Sequence, residues 1–217
     1  MTEPENRCRL VLVAPDIADA DERGRIVADA LRGGDVASVI VPQYALDDVT
    51  FQSHAERLVP MIQKAGAAAL IAGDSRVAGR AKADGLHLEG NPQELEEAID
   101  KYAPKLIVGA GGASDRHHAL EIGEVRPDYI FFGKLDGDIK PEAHPKNLAL
   151  GEWWASMIEI PCIVMGGTDP ASALAVAETG AEFVALRMAV FSTPAAAPSI
   201  VAEVNAMLDE KAPRFED

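Results

Sequence analysis

Residues 160–191 read IPCIVMGGTDPASALAVAETGAEFVALRMAVF, and this stretch decides the fold class. It holds a short apolar run from Cys162 to Met165, an alanine-rich amphipathic stretch that ends at Gly180, and a second apolar run from Phe183 to Leu186. A short apolar run followed by a helical pattern is typical of a strand and its crossover helix, so this stretch predicts a β-α-β unit with parallel strands.

The same unit occurs eight times along the 217 residues. The other six apolar runs are Arg9 to Ala14, Val36 to Val41, Ala67 to Ala72, Gly85 to Leu88, Leu106 to Ala110 and Tyr129 to Phe132. Several are unbroken strings of Val, Ile and Leu, which indicates strands that are buried on both faces. Eight strand-helix units predict an α/β fold with one domain over residues 1–217, a (β/α)8 TIM barrel.

Helix boundaries and long loops fall where a barrel needs them. Pro92 suits a first helical turn, Asp169 is predicted to be an N-cap and Gly180 a helix end. Two connections, Pro42 to Thr50 and Gly133 to Asn147, are longer than the rest. Long loops in compact domains are often functional, and both follow strands, on the side where barrel active sites lie.

Composition argues against several classes of function. The net charge is -15, and the 20 basic residues form no stripe, so nucleic acid is not an expected partner. No apolar run approaches the ~20 residues that span a membrane, and the first residues, MTEPENR, lack the apolar centre of a signal peptide. A cytoplasmic protein with no membrane partner is expected. Cys8 and Cys162 have no metal-type spacing and are predicted to be buried thiols.

The last two strand ends carry the pattern of a phosphate site. Gly166-Gly167 follows the seventh apolar run, and Arg187 and Met188 follow the eighth. Loops at these places bind phosphate in many barrels, because glycines let backbone N–H groups approach the oxygens. These four residues therefore predict binding of a small phosphorylated molecule. The alternative is a tight turn at the glycines and a salt bridge from Arg187 to Glu178 or Glu182.

Four stretches resemble the motifs of a known family. KADGLHLEG, LIVGAGG, RPDYIFFGKL and the 160–191 stretch are similar, in the same order, to motifs of the thiamine-phosphate synthase and thiazole tautomerase family. The resemblance covers residues 67–191. It implies a barrel that joins an aminopyrimidine diphosphate to a thiazole phosphate and releases diphosphate. It also implies that Mg²⁺ and the diphosphate bind after the early strands, and the thiazole phosphate after the last two.

The diphosphate positions implied by the resemblance are only partly filled. Gln43 is retained after the second strand, but Ala45 and Asp47 stand where the family has an arginine and a lysine. Gly111 replaces the serine of the family's G-x-S motif, and Lys140 remains from a lysine-containing loop after the sixth strand. Since a diphosphate carries about three negative charges, the loss of these cations predicts a weakened diphosphate site.

The carboxylates after the strands are candidates for the implied Mg²⁺ site. Asp74 and Glu89 lie nearest to the family's metal positions, and Asp136 and Asp138 follow the sixth strand. Oxygen ligands of this kind suit Mg²⁺. The alternative is that they are solvated loop carboxylates.

Histidines supply the candidate acid or base. His87 lies inside the fourth strand, where it either reaches the barrel mouth or fills the interior. The tautomerase branch has a histidine after the fifth strand, and the nearest residues here are His117 and His118, whose alternative is a solvated helix surface. His87, His117 and Lys140 are the predicted catalytic residues.

Three functions remain open at this point. They are a divergent synthase, an isomerase or tautomerase of a phosphorylated thiazole, and a barrel that binds a phosphorylated ligand without catalysis. Trp153 and Trp154, beside Met157, are expected to pack the sixth helix on the barrel or to form a subunit contact, in which case the protein is a homodimer.

Overall fold

The computed structural model describes residues 6–215, and within them eight parallel strands close into a barrel in chain order. The strands are β1 (Arg9–Val13), β2 (Ser38–Pro42), β3 (Ala68–Ala72), β4 (Gly85–Leu88), β5 (Ile107–Ala110), β6 (Tyr129–Phe132), β7 (Cys162–Met165) and β8 (Phe183–Leu186). Closure is made by β1 and β8, where Val11 lies opposite Ala185. The predicted (β/α)8 barrel is therefore confirmed, with strands close to the predicted apolar runs.

Helices surround the barrel. They are α1 (Ala20–Ala30), α2 (Asp48–Lys64), α3 (Ser75–Ala81), α4 (Pro92–Tyr102), α5 (Arg116–Glu124), α6 (Pro145–Met157), α7 (Ser172–Ala177), α8 (Met188–Phe191) and α9 (Ala197–Lys211). Polar side chains begin several of them, as at α4, where the Asn91 side chain accepts a hydrogen bond from the Glu94 N–H. No helix in the described part of the chain is both long enough and apolar enough to cross a membrane.

Helix α7 begins later than the sequence predicts. Asp169 does not cap it, because the Asp169 carboxylate accepts a hydrogen bond from the Ala171 N–H at 2.9 Å and closes a separate turn before the helix. The helix itself begins at Ser172, while Gly180, with φ +86°, ends this segment as predicted.

Glycine creates the space that the barrel interior needs. The interior is filled by Val11, Val13, Ile40, Leu70, Tyr129, Phe131, Ile163, Met165 and Ala185. An ideal Cβ on Gly109 of β5 would overlap Cζ and Cε1 of the Tyr129 ring. The aromatic ring from β6 therefore occupies the volume that any larger residue at position 109 would take.

Carboxylates accept hydrogen bonds from strand N–H groups at the rim formed by the amino-terminal ends of the strands. Asp84 accepts a hydrogen bond from the Ala69 N–H at 2.7 Å, and Asp128 accepts one from the Val108 N–H at 2.7 Å. Glu182 accepts one from the Cys162 N–H at 2.8 Å, so it is not the partner of Arg187 that the sequence suggested. This rim serves the stability of the fold, which leaves the carboxyl-terminal rim for ligands.

The two tryptophans of α6 have different surroundings. Trp154 is fully buried, its ring lies 5.8 Å from that of Phe132, and its indole N–H donates to the Ile160 carbonyl at 2.7 Å. Trp153 is half-buried under the guanidinium of Arg116, at 5.1 Å. Packing of α6 on the barrel accounts for Trp154.

Candidate functional site

A cavity of about 540 Å³ opens at the carboxyl ends of β2, β3, β4 and β6. Ligands bind at this end of (β/α)8 barrels. Its polar lining includes four residues that the sequence singled out, Gln43, His87, Glu89 and Asp136, and two that it missed, Tyr44 and Lys134. The long loop after β6 was predicted to matter, but no periodicity in a loop indicates which of its side chains face the cavity.

His87 lines this cavity and forms a buried pair with Tyr129 in the barrel interior. The His87 Nδ1 atom lies 2.9 Å from the Tyr129 hydroxyl oxygen, and the two rings stack with centroids 5.9 Å apart. His87 Nε2 has no hydrogen-bond partner among the described residues. It lies 2.8 Å from an ideal Cβ on Gly111, so the glycine that replaces the family's serine leaves room for the ring.

Burial keeps this pair uncharged. It lowers the pKa of His87 to about 4 and raises the pKa of the Tyr129 hydroxyl above its ordinary value. The neutral ring carries one proton: when it is on Nε2, the Tyr129 hydroxyl donates to Nδ1 and Nε2 is a donor, and when it is on Nδ1, Nδ1 donates to the Tyr129 oxygen and Nε2 is an acceptor. The pair can therefore present either a donor or an acceptor to a ligand in the cavity.

We expect the buried His87 to make stability pH-dependent. An unfolded histidine titrates near 6.5 and the folded one near 4, so only the unfolded chain binds this proton between those values. As the pH falls through that window, the free energy of unfolding should decrease by up to about 1.4 kcal/mol per pH unit from this residue. His87→Gln should reduce the slope, whereas His117→Gln, on an exposed helix surface, should not. Urea denaturation across this pH range checks it, and equal slopes in all three proteins would contradict it.

The wall of the cavity mixes opposite charges. Burial, and then the nearby Asp136 carboxylate, raise the pKa of Glu89, while the Lys134 ammonium opposes this shift. Gln43 donates its side-chain N–H groups to the Leu46 carbonyl and to Asp48, both at 3.0 Å. Lys134 is thus a cation placed to compensate negative charge that enters the cavity.

Tyr44 lines the cavity and contacts the segment that follows β1. It has φ +50°, a left-handed conformation that is unfavourable for a tyrosine, and its hydroxyl donates to the Ala14 carbonyl at 2.7 Å. The guanidinium of the fully buried Arg23 lies 5.4 Å from the centre of the Tyr44 ring and donates to the Pro42 carbonyl at 3.0 Å. Burial lowers the pKa of Arg23 to about 10, which still leaves it positive beneath the mouth at neutral pH.

Arg187 and Met188 bind a carboxylate of the chain itself. Arg187 Nε donates to Asp138 Oδ1 at 2.8 Å, Nη2 lies 2.8 Å from the same oxygen, and the Met188 N–H donates to Oδ2 at 2.5 Å. Arg187 Nη2 also donates to the Asp136 carbonyl at 3.2 Å. Although burial disfavours its charged form, the bonds to Asp138 raise the pKa of Arg187. We call the Arg187 guanidinium and the Met188 N–H the anion seat.

The glycine pair lies beneath another segment. An ideal Cβ on Gly167 would overlap the carbonyl oxygen of Pro141, and the Gly167 N–H donates to the Ser172 hydroxyl at 2.8 Å. The Gly166 N–H donates to the Ala185 carbonyl at 2.9 Å. In this conformation the N–H groups of Gly166 and Gly167 are therefore satisfied within the chain, and only Arg187 and Met188 of the four predicted phosphate residues present donors to an anion.

The remaining predicted residues lie apart from the cavity. His117 pairs with Glu121 at 3.4 Å with an 87% exposed side chain, and Lys140 is exposed in the loop after β6. Asp74 accepts hydrogen bonds from Arg76 Nε and Nη2 at 2.9 and 2.6 Å. Residues 6–215 contain no group of three or more His, Cys, Asp or Glu side chains that could hold a metal ion. Of the two predicted metal ligands, Glu89 lines the cavity, whereas Asp74 is paired with Arg76.

Fold and site together define a (β/α)8 barrel with a ligand cavity and an adjoining anion seat at its mouth. Comparison with known proteins makes the class specific. The family model of thiamine monophosphate synthase matches residues 10–190. This chain belongs to that family, and the resemblance seen in its motifs is confirmed.

Relatives in the family match almost end to end. A thiamine-phosphate synthase from Rhodospirillum centenum is 31% identical over 205 residues, which cover 93% of this chain and 98% of the relative. One from Erythrobacter litoralis is 33% identical over 203 residues, covering 88% and 92%. Among solved structures, thiamine phosphate pyrophosphorylase from Pyrococcus furiosus superposes with a TM-score of 0.79 at 21% identity, covering 94% of this chain and 97% of that one. This last similarity concerns the fold.

Proposed function

We propose that this chain is a transferase of the thiamine-phosphate synthase type, in which the anion seat holds the phosphate of one substrate and the mouth cavity holds the other. The observation that carries this proposal is the contact between the two places. Asp136 lines the cavity, and its carbonyl accepts a hydrogen bond from Arg187 of the seat. Two small phosphorylated substrates bound there would lie side by side, as a coupling reaction requires.

The reaction requires stabilisation of a leaving group. The bond between the pyrimidine methylene carbon and the diphosphate oxygen breaks, diphosphate leaves with the electron pair, and the thiazole nitrogen forms the new bond to that carbon. Lys134 is the residue proposed to face the developing negative charge, and His87 Nε2 supplies one hydrogen bond to the bound substrate. The family's reaction uses Mg²⁺; residues 6–215 contain no group of three or more ligands for it, and we assign no step to the metal.

The direct test is an assay with aminopyrimidine diphosphate, thiazole phosphate and Mg²⁺, with the Rhodospirillum centenum synthase as a reference. We expect thiamine phosphate to form at least about 100-fold more slowly than with the reference, because each missing donor to a developing anion costs a factor of 10² or more. Absence of product in a preparation that still binds both substrates would contradict the transferase proposal and favour a non-catalytic phospholigand-binding barrel.

Replacement of Lys134 tests the role of the cavity. Lys134→Met should lower the turnover number by about 100-fold, because it removes the cation that faces the leaving diphosphate. Lys105→Met is the matched control, since Lys105 is an exposed lysine just before β5, at the opposite rim. Equal turnover of the two variants would contradict the assignment.

A second candidate function is isomerisation of a phosphorylated thiazole. The buried His87–Tyr129 pair favours it, because proton transfer needs an acid or base in the cavity but neither a diphosphate site nor a metal. Incubation of a carboxythiazole phosphate in D₂O distinguishes the two reactions. Deuterium incorporation that is lost in His87→Gln, without synthase turnover, would support isomerisation.

A further inference from the structure

Asp138 occupies the anion seat in the way that a phosphate would. Its carboxylate accepts hydrogen bonds from Arg187 Nε at 2.8 Å and from the Met188 N–H at 2.5 Å, Arg187 Nη2 lies 2.8 Å from Oδ1, and the side chain is completely buried. The next residue, Ile139, is 80% exposed. The chain thus buries an acid and exposes an aliphatic side chain at neighbouring positions, which is the reverse of what the hydrophobic effect alone would produce. The pairing with the anion seat is what compensates this arrangement.

The loop that carries Asp138 also covers the glycine pair. We call residues 133–144 the lid. The Thr168 N–H donates to the Lys140 carbonyl at 2.8 Å, and the Asp169 N–H donates to the Pro141 carbonyl at 3.1 Å. These two N–H groups follow Gly166-Gly167 directly. The lid therefore covers the glycine pair after β7 and, through Asp138, also occupies the anion seat after β8.

Few polar contacts hold the lid to the barrel, while Leu135 and Ala143 pack against its apolar residues. It begins at Gly133, with φ +128°, and a turn from Lys134 to Gly137 precedes Asp138. Its hydrogen bonds to the β7 loop are the two backbone bonds at Thr168 and Asp169, and its polar contacts with the segment after β8 are the Asp138 carboxylate and the Asp136 carbonyl. A phosphate that takes the place of that carboxylate would remove the strongest of these attachments.

We infer that Asp138 is an internal competitor for the anion seat, and that a phosphorylated ligand binds by displacing it and lifting the lid. This inference rests on the proposed function, in that the seat is the phosphate subsite. A carboxylate on the same chain competes at a high effective concentration. The apparent Kd for phosphate then equals the intrinsic Kd divided by the fraction of molecules with an open lid. The lid therefore sets the ligand concentration at which the site fills.

Asp138→Asn tests the competition, because it removes the charge and keeps the shape. Titration calorimetry with inorganic phosphate should show a Kd at least about tenfold lower than in the wild type, since a neutral amide competes poorly for a guanidinium. Glu142→Gln makes the same change in net charge at an exposed residue of the lid and should leave the Kd unchanged. If Asp138→Asn binds phosphate no more tightly than Glu142→Gln, the inference is overturned.

Hydrogen exchange in the wild-type protein provides a measurement that does not depend on the variant folding. With saturating phosphate, the Thr168 and Asp169 amides should exchange at least about tenfold faster, because the lid carbonyls that accept from them have moved away, while the Met188 amide stays protected by the ligand. Unchanged or greater protection at Thr168 and Asp169 would overturn lid opening. If Asp138→Asn binds phosphate more tightly but the wild-type protein shows no synthase turnover, this inference is supported and the proposed function is contradicted. If the wild-type protein turns over but Asp138→Asn has an unchanged phosphate Kd, the proposed function is supported and this inference is overturned.

Discussion

Gly109→Ala is expected to lower the free energy of unfolding by about 3 kcal/mol, at the upper end of the cost of overpacking a core. The added methyl group would overlap the ring of Tyr129, which is 95% buried and bonded to His87. Because neighbouring strands hold both backbones in register, neither can move away without breaking the β5–β6 ladder. Urea denaturation of the purified variant measures this loss.

Gly79→Ala is the matched control for this substitution. Gly79 lies in α3 with nothing within 4 Å of its ideal Cβ, so alanine there should be neutral or stabilising by up to about 1 kcal/mol. In a double-mutant cycle, Gly109→Ala should cost less in a Tyr129→Ala background than in the wild type, since the overlapping ring is absent there. Similar stabilities of Gly109→Ala and Gly79→Ala would show that the interior tolerates the extra methyl group, contrary to the packing described.

Arg187→Met is expected to damage stability and binding together. It leaves the Asp138 carboxylate buried without a cation, and removal of one partner of a buried ion pair costs about 3 to 5 kcal/mol. It also removes the guanidinium from the anion seat, so the Kd for inorganic phosphate should rise by at least about 100-fold. Urea denaturation and titration calorimetry measure the two effects separately.

Two further variants separate the buried charge from the loss of packing. Adding Asp138→Asn to Arg187→Met should restore much of the stability, because the uncompensated charge is gone, but should not restore phosphate binding. Arg76→Met breaks the exposed pair with Asp74 and should cost less than about 1 kcal/mol. If Arg187→Met were as mild as Arg76→Met, the Asp138 contact would not be the strong buried pair described.

The sequence predicted the barrel because each strand is a short apolar run that is readable in isolation. It placed the phosphate-binding pattern after β7 and β8, because the strand count alone locates those loops. It did not predict that Asp138 would fill the seat, since that contact joins residues 49 positions apart and depends on the path of an irregular loop. For the same reason it favoured Lys140 over Lys134. His117 lies in the first turn of α5, and its side chain is exposed because of how this helix packs on the barrel. The motifs do not predict which side of a helix faces the barrel.

Because of the Asp138 contact, an arginine at this position in a related protein does not by itself indicate that the protein binds a ligand. Because Arg187 neutralises a buried acid of its own chain, natural selection for folding alone would preserve it after any ligand had ceased to matter. A descendant could drift to inactivity with this arginine unaltered. Position 138 is the more informative of the two. In a relative that retains the arginine but has a neutral residue in place of Asp138, only a bound anionic ligand would account for retention of the arginine.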